Sequence, residues 1–425
     1  MTASDLRAKY HTFIYDSFSH WTKDAKQICE YKYSLPPDHT FTHTITFDNL
    51  SQLEVSDLLV FQLGLAEMFS YWKLTCSPTI EIAAGHLTPN QIEFWHKLFI
   101  RGMGQYFYEN KIDFTSPDFL KIYSTGNLVE NSKLRIKDSA QVLVPLGGGK
   151  DSIVTAELLK KDFILRPIIV YPASPASLRI TNLLGFPQPI LVSRILDPHM
   201  LQLTKEGYLT GHVPYSAVLA FIFLLAAAIE GVPYIAVSNE ASSSEGNLHY
   251  LGHAINHQYS KSIEFETDFN KYLHDLEPSI SYFSFLRPLH ELQIAKLFSH
   301  MSQYFTTFRS CNKNQQLDSW CGHCPKCISI AMTLMPWTSD QTVMDIMGTN
   351  PIKDPSNAGI ITSMTDPTKI KPFECVTTTE EAQICLEFID HGPTPRVQEF
   401  LAHWDDSPNT PPHFADTLES AYYRT

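Results

Sequence analysis

The sequence predicts an α/β protein: a doubly wound parallel sheet preceded by a separate α+β N-terminal region. Gln141-Val-Leu-Val-Pro-Leu146 reads as a buried strand that runs into Gly147-Gly-Gly149 and then into the first turn of a helix. Between about 140 and 345, the short apolar runs Val142–Leu146, Pro167–Tyr171, Ile190–Val192 and Tyr234–Val237 alternate with helical stretches, the pattern of buried parallel strands joined by crossovers. Before about 135 the helix and strand signals are mixed and contain no strand-turn-helix nucleotide unit.

Taken in order, Thr42–Phe47 alternates as a strand, and Val55–Lys73 sets Leu58, Leu59, Phe61, Leu65, Met68 and Phe69 at helical spacing. Thr88-Pro-Asn-Gln91 is a capping box with proline just inside, opening a helix through Phe94, Trp95, Leu98 and Phe99 toward Tyr108. Gly64, Gly102 and Gly104 inside these patterns predict close helix packing; Tyr71 and Trp72 are expected in the core, with stacking on a ligand ring as the alternative. Ala217–Ile229 is shorter than the ~20 residues a bilayer span needs and is closed by Glu230-Gly231, so it reads as a helix covering a sheet. Residues 349–379, rich in Pro, Thr and Asp, predict irregular structure, after which Thr378-Thr-Glu-Glu381 caps a short helix through Cys385 and Phe388. Three consecutive parts are expected: a substrate-side domain over 1–135, a nucleotide-binding catalytic domain over 136–348 that holds the cysteine cluster, and a C-terminal extension over 349–425.

Composition excludes several classes. With 44% hydrophobic and 12% aromatic residues the 425-residue chain can bury large cores. A net charge of -13 argues against a surface that tracks nucleic-acid phosphates. The polar opening Met1-Thr-Ala-Ser-Asp-Leu-Arg-Ala-Lys9 has no leader pattern, and no membrane association is expected. Eight cysteines, four of them bunched, predict a reducing cytoplasmic setting and a metal site rather than disulfides.

The glycines of the loop can take left-handed backbone angles, and the N–H groups that open the helix at Lys150, Asp151 and Ser152 favour an anion, so Gly147–Ser152 is a candidate phosphate site. The spacing is not that of a Walker loop. It resembles instead the S-G-G-x-D-S loop of the PP-loop ATP pyrophosphatases, which cleave ATP between the α and β phosphates and adenylate an acid or amide oxygen. Gly147 stands where that pattern has serine, so the backbone amides, Lys150 and Ser152 would have to replace the serine hydroxyl.

In such a sheet, ligands bind at the carboxyl ends of strands, so the residues after Leu146, Tyr171 and Val237 are expected to face one cleft. Tyr171, Asn239 and Glu245 are candidate nucleotide-binding residues, and Glu240 or Glu245 could hold Mg²⁺ or orient substrate. Asn256-His-Gln-Tyr-Ser-Lys-Ser262 concentrates an imidazole, a phenol and an amine, so His257 and Lys261 are candidates for proton transfer. Cys311, Cys321, Cys324 and Cys327 are spaced to wrap one structural Zn²⁺, with a redox pair, or His323 as a substitute ligand, as alternatives.

These motifs occur together in one order, with Trp320-Cys-Gly-His-Cys-Pro-Lys-Cys327, Lys371-Pro-Phe-Glu-Cys375 and, earlier, Gly64-Leu-Ala-Glu-Met-Phe-Ser-Tyr-Trp-Lys73. The combination resembles the MurL family. That resemblance implies an ATP- and Mg²⁺-dependent isomerase with a Rossmann-like PP-loop domain. It would epimerise the terminal L-Glu of UDP-MurNAc-L-Ala-L-Glu in peptidoglycan precursor synthesis and release AMP and pyrophosphate. It also implies catalytic roles for Lys150, Asp151, Glu240, His257 and Lys261, with Gly147, Gly148, Gly149 and Ser152 on the nucleotide. A PP-loop amide or nitrile synthase acting on a small carboxylic acid, or a nucleotide-binding module without turnover, are the alternatives.

Overall fold

A computed structural model describes residues 1–425 other than 53, 132–135 and 137–139. The chain packs as two compact units made of interleaved segments: 1–139, 190–235 and 249–281 in the first, and 140–189, 236–248 and 282–425 in the second. The sequence reads as three consecutive parts because no change in composition marks the crossings at 190, 236, 249 and 282. The boundary expected near 135 adjoins residues outside the described ones.

In the first unit, Thr12–Lys23, Lys26–Leu35 and His39–Asp48 form an antiparallel meander, pairing Tyr15 with Tyr33 and Cys29 with Ile45. The strand expected at Thr42–Phe47 is the centre of the third. Ile190–Ile195 pairs antiparallel with His39–Asp48, Thr46 opposite Ser193, so this run does not continue the parallel series as expected. Ile190 and Val192 are buried while Leu191 and Ser193 are only partly so, the alternation of a one-sided strand, which three residues of sequence cannot distinguish from a buried parallel one.

The helix expected over Val55–Lys73 is present as Asp57–Glu67 and Phe69–Trp72. At Gly64 a Cβ would lie 2.0 Å from the Tyr15 hydroxyl oxygen, so only glycine lets this helix sit on the sheet. Tyr71 and Trp72 are fully buried, Trp72 Nε1 donating to Ser77 O at 2.9 Å, which makes them core residues rather than a stacking platform. The Thr88 capping box opens helix Pro89–Gly102 with proline in its first turn. Helix Tyr215–Glu230 is buried along most of its 16 residues and ends at Gly231 with φ +70°. Among the described residues no helix is long and apolar enough to cross a membrane.

The strand that leads into the glycine loop lies in the order Ser281–Ser284, Tyr234–Val237, Gln141–Pro145, Ile164–Tyr171. Gln141–Pro145 pairs parallel with Ile164–Tyr171, and Phe285 N donates to Val237 O at 2.8 Å. The stretch expected to be irregular over 349–379 contains a helix, Ala358–Thr365; its Met364 is buried and its Ile360 and Ile361 pack on the core while Thr362 is exposed, a signal that the flanking prolines obscured. The Thr378 capping box opens helix Thr379–His391 as expected. Ala382, Ile384 and Cys385 join Leu292, Ile328 and Met332 in one core, so the C-terminal residues belong to this unit.

Candidate active site

The glycine loop leaves strand Gln141–Pro145 and enters helix Lys150–Leu159 with Gly149 as its N-cap. Gly148 has φ +90°, and a Cβ there would lie 3.0 Å from Ser177 Oγ at the start of the next crossover helix, so conformation and space both demand glycine. Arg309 N donates to Gly148 O at 2.9 Å, and a Cβ on Gly149 would lie 2.9 Å from Ser310 Oγ. At Gly147 nothing lies within 4 Å of where a Cβ would stand, so the missing serine hydroxyl reflects no steric exclusion. Ser152 Oγ donates to Gly149 O at 2.9 Å and stiffens the turn.

Lys150 is completely buried and donates to Asp151 and to Glu291. Glu291 also accepts from Lys326 Nζ at 3.1 Å, so one carboxylate joins two ammonium groups. Burial works to raise the Glu291 carboxyl, but the charges of Lys150 and then Lys326 overcome it and hold it at about 2. Glu381 is fully buried nearby, accepting from Leu292 N at 2.7 Å and from Ser242 Oγ at 2.9 Å. Burial, and then the Glu291 charge, push it up to about 7.

Glu291, Lys326 and Glu381 are absent from the expected set. Glu291 follows the strand Ser281–Ser284, which the sequence reading passes over; counting it as a further strand would have directed attention to the residues after it. Glu240 lies within electrostatic reach of Lys326, and Arg287 Nη1 donates to its backbone oxygen at 2.8 Å. Asn239 Nδ2 donates to Ser284 Oγ at 3.0 Å, and Tyr171 ends its strand half-buried. Glu245 faces elsewhere: it accepts from Lys371 Nζ at 3.1 Å and from Thr379 N at 3.3 Å, clamping the start of helix Thr379–His391.

The Sγ atoms of Cys311, Cys321, Cys324 and Cys327 all lie within 4.8 Å of one another. Separations of 4.0 Å (Cys311–Cys324), 3.8 Å (Cys321–Cys327) and 3.4 Å (Cys324–Cys327) bracket the ~3.8 Å edge of a tetrahedron with ~2.3 Å metal–sulfur bonds. Backbone N–H groups aim at the sulfurs, Asn314 N at Cys311 (3.2 Å), Cys324 N at Cys321 (3.2 Å) and Cys327 N at Cys324 (3.4 Å), which favours thiolates. Gly322, with φ +73°, makes the turn between the ligands. His323 points away, Nδ1 lying 3.3 Å from Asn357 Oδ1, so the cluster that can hold a metal ion is all sulfur.

His257 and Lys261 belong to the first unit. His257 Nδ1 is 2.6 Å from Gln105 Oε1, and Gln105 Nε2 donates to Glu109 at 2.7 Å. Because Gln105 Oε1 can only accept, His257 Nδ1 is the donor in that hydrogen bond. His212 packs against His257 with ring centroids 4.5 Å apart, and burial, assisted by the His257 charge, pushes His212 down to about 3. Nothing in the spacing of His212 or Gln105 singles them out in sequence. Glu67, from the Gly64–Lys73 stretch, is buried against Arg194, with its oxygens 2.8 and 2.9 Å from Arg194 Nε.

A parallel sheet whose glycine loop opens a helix beside a buried lysine-carboxylate cluster, with a four-cysteine knuckle on the same unit, defines an α/β protein with a candidate anion site. The family follows from comparison with known proteins: residues 4–285 match the MurL N-terminal domain and residues 307–417 the MurL C-terminal domain, so the chain belongs to the MurL family. It is 29% identical over 332 residues (76% of this chain, 72% of the relative) to the UDP-N-acetyl-alpha-D-muramoyl-L-alanyl-L-glutamate epimerase of Xanthomonas oryzae pv. oryzae. It is also 29% identical to proteins of the same name from Salinispora tropica (89% and 84% covered) and Micromonospora sp. (89% and 86%). No solved structure matches.

Proposed function

We propose that this protein is an isomerase that inverts the terminal L-glutamate of UDP-N-acetylmuramoyl-L-alanyl-L-glutamate, yielding the D-glutamyl precursor for peptidoglycan. The observation that carries this is that the chain matches both domains of one family and covers 72–86% of three proteins bearing that epimerase name. A UDP-linked substrate assigns the reaction to the cytoplasm.

The chemistry accounts for a phosphate loop in an isomerase. Removing a proton from a carbon next to a carboxylate would place two negative charges side by side. Attack by the glutamyl α-carboxylate on the α-phosphorus of ATP expels pyrophosphate and leaves an acyl adenylate whose carbonyl no longer carries the carboxylate charge, so that its α-proton is far more acidic. The proton then leaves, returns to the opposite face, and water cleaves the mixed anhydride to release AMP. In this assignment the amides of Gly147–Ser152 and the Lys150 ammonium hold the phosphates. Asp151 and Glu240 supply the oxygen donors Mg²⁺ prefers, and the ion would neutralise phosphate charge there. Proton transfer falls to His257 or Lys261, with the Gln105–Glu109 chain orienting the His257 ring. The all-sulfur donor set fits a closed, structural Zn²⁺.

Chiral analysis of glutamate after incubating protein, ATP, Mg²⁺ and the UDP-muramoyl dipeptide tests the proposal. D-Glutamate should accumulate only with ATP present. An amide or nitrile product with its L-configuration intact would instead assign the protein to the PP-loop synthases.

A further inference from the structure

Two separate stretches of chain connect the four-cysteine cluster to the glycine loop. Arg309 and Ser310, immediately before Cys311, lie on the loop: Arg309 N donates to Gly148 O at 2.9 Å, and Ser310 Oγ closes the space over Gly149. The second connection starts between Cys324 and Cys327, where Lys326 occupies the first turn of helix Pro325–Leu334 and reaches Glu291 Oε1 at 3.1 Å. Glu291 accepts from Lys150 with its other oxygen. Lys326, Lys150 and Glu291 are all more than nine-tenths buried, at 8%, 0% and 1% exposure, so none is a solvated surface charge.

A buried ammonium held only for stability needs one good acceptor. Here two share Glu291 beside a loop whose amides favour an anion; Lys150 also has Asp151, whereas the Lys326 ammonium carries more donors than one Glu291 oxygen satisfies. Both connections also begin within two residues of a cysteine ligand, so whatever fixes the sulfurs fixes the loop's cover and its second cation together.

We infer that Lys326 is a ligand for the triphosphate of the bound nucleotide, and that metal at Cys311, Cys321, Cys324 and Cys327 sets nucleotide affinity by holding Lys326 and the Arg309–Cys311 segment in place. This rests on the nucleotide role proposed for Gly147–Ser152. The metal would then be needed for binding as well as for stability.

The test is calorimetric titration of MgATP into the full chain, with zinc content measured by elemental analysis and folding by circular dichroism. Lys326→Gln should keep its zinc and its fold yet bind MgATP about tenfold or more weakly, and Lys326→Arg should recover part of the loss. Protein stripped of metal but still folded should lose affinity similarly, with Lys326→Gln adding no further loss to it. If stripping unfolds the chain, the metal-loaded Gln and Arg variants decide the role of Lys326. Unchanged affinity in metal-loaded Lys326→Gln overturns the inference while leaving the nucleotide role intact, and a loss in the variant without one on stripping overturns the coupling to metal. A wild-type, zinc-loaded protein that binds no MgATP overturns both the inference and the reading beneath it.

Discussion

The Lys150 ammonium donates to Glu291, a carboxylate 141 positions later in the chain, at the opening of helix Glu291–Ser299. With Lys326 on its other oxygen, Glu291 balances two buried cations at once. Glu291→Gln should therefore cost about 3–5 kcal/mol, the usual penalty for removing one partner of a buried ion pair. Urea denaturation of the variant measures it; a loss under about 1 kcal/mol would mean the lysines find other partners.

The buried carboxylates predict opposite pH dependences. Glu291 and Glu67 are both held at about 2 in the folded chain against an ordinary 4.5; burial opposes this, but Lys150 and Lys326 act on the first, and Arg194 and His43 on the second. Their contribution to stability is complete above about 4.5 and is lost as pH falls through about 2. Glu381 runs the other way, raised from 4.5 to about 7, so its contribution is complete below about 4.5 and is lost as pH rises through about 7. At roughly 1.4 kcal/mol per unit the Glu381 contribution amounts to at most about 3.5 kcal/mol. Between pH 5 and 8 the urea midpoint of Glu381→Gln should rise relative to that of the wild type as pH increases, the histidine contributions such as that of His212 being common to both; equal slopes would contradict the assignment.

Gly64→Ala tests how closely helix Asp57–Glu67 sits on its sheet. The added methyl would meet the Tyr15 hydroxyl at 2.0 Å and Tyr31 Cδ1 at 2.6 Å, both in a fully buried core. Overpacking of this kind costs about 1–3 kcal/mol or more. Thermal denaturation should show a lowered midpoint, whereas an unchanged one would show that the two tyrosines can move aside.

Much of this architecture was readable because short-range chemistry dictates it. The capping boxes at Thr88 and Thr378, the Gln141–Pro145 strand with its glycine turn, and the cysteine spacing are each fixed within one short stretch of chain. What escaped depends on pairing across long separations. The side on which Ile190–Ile195 pairs is set by His39–Asp48, and the partner of Lys150 lies beyond an overlooked strand. Glu245 followed the right strand but turns to Lys371, a choice that no local pattern encodes. His212 gains its place beside His257 only through folding.

If the glycine loop carries the nucleotide chemistry, Lys150→Ala and Asp151→Asn should abolish AMP and pyrophosphate release. Lys150→Ala also removes one of the cations on Glu291, so circular dichroism must accompany the assay to separate lost chemistry from lost fold. Wild-type turnover in both folded variants would remove the loop from the mechanism.

If adenylation makes the glutamyl α-proton labile, solvent deuterium should enter that position, as followed by mass spectrometry or NMR. In D₂O with Mg²⁺ and the UDP-muramoyl dipeptide, deuterium should appear at the α-carbon only when ATP is present and cleaved between its α and β phosphates; a non-hydrolysable α,β analogue should block exchange. Replacing His257 or Lys261, whichever serves as the base, should lower exchange by ~10²-fold or more while pyrophosphate still appears. Exchange without ATP, or AMP formation with no α-deuteration in the unmodified protein, would contradict the account.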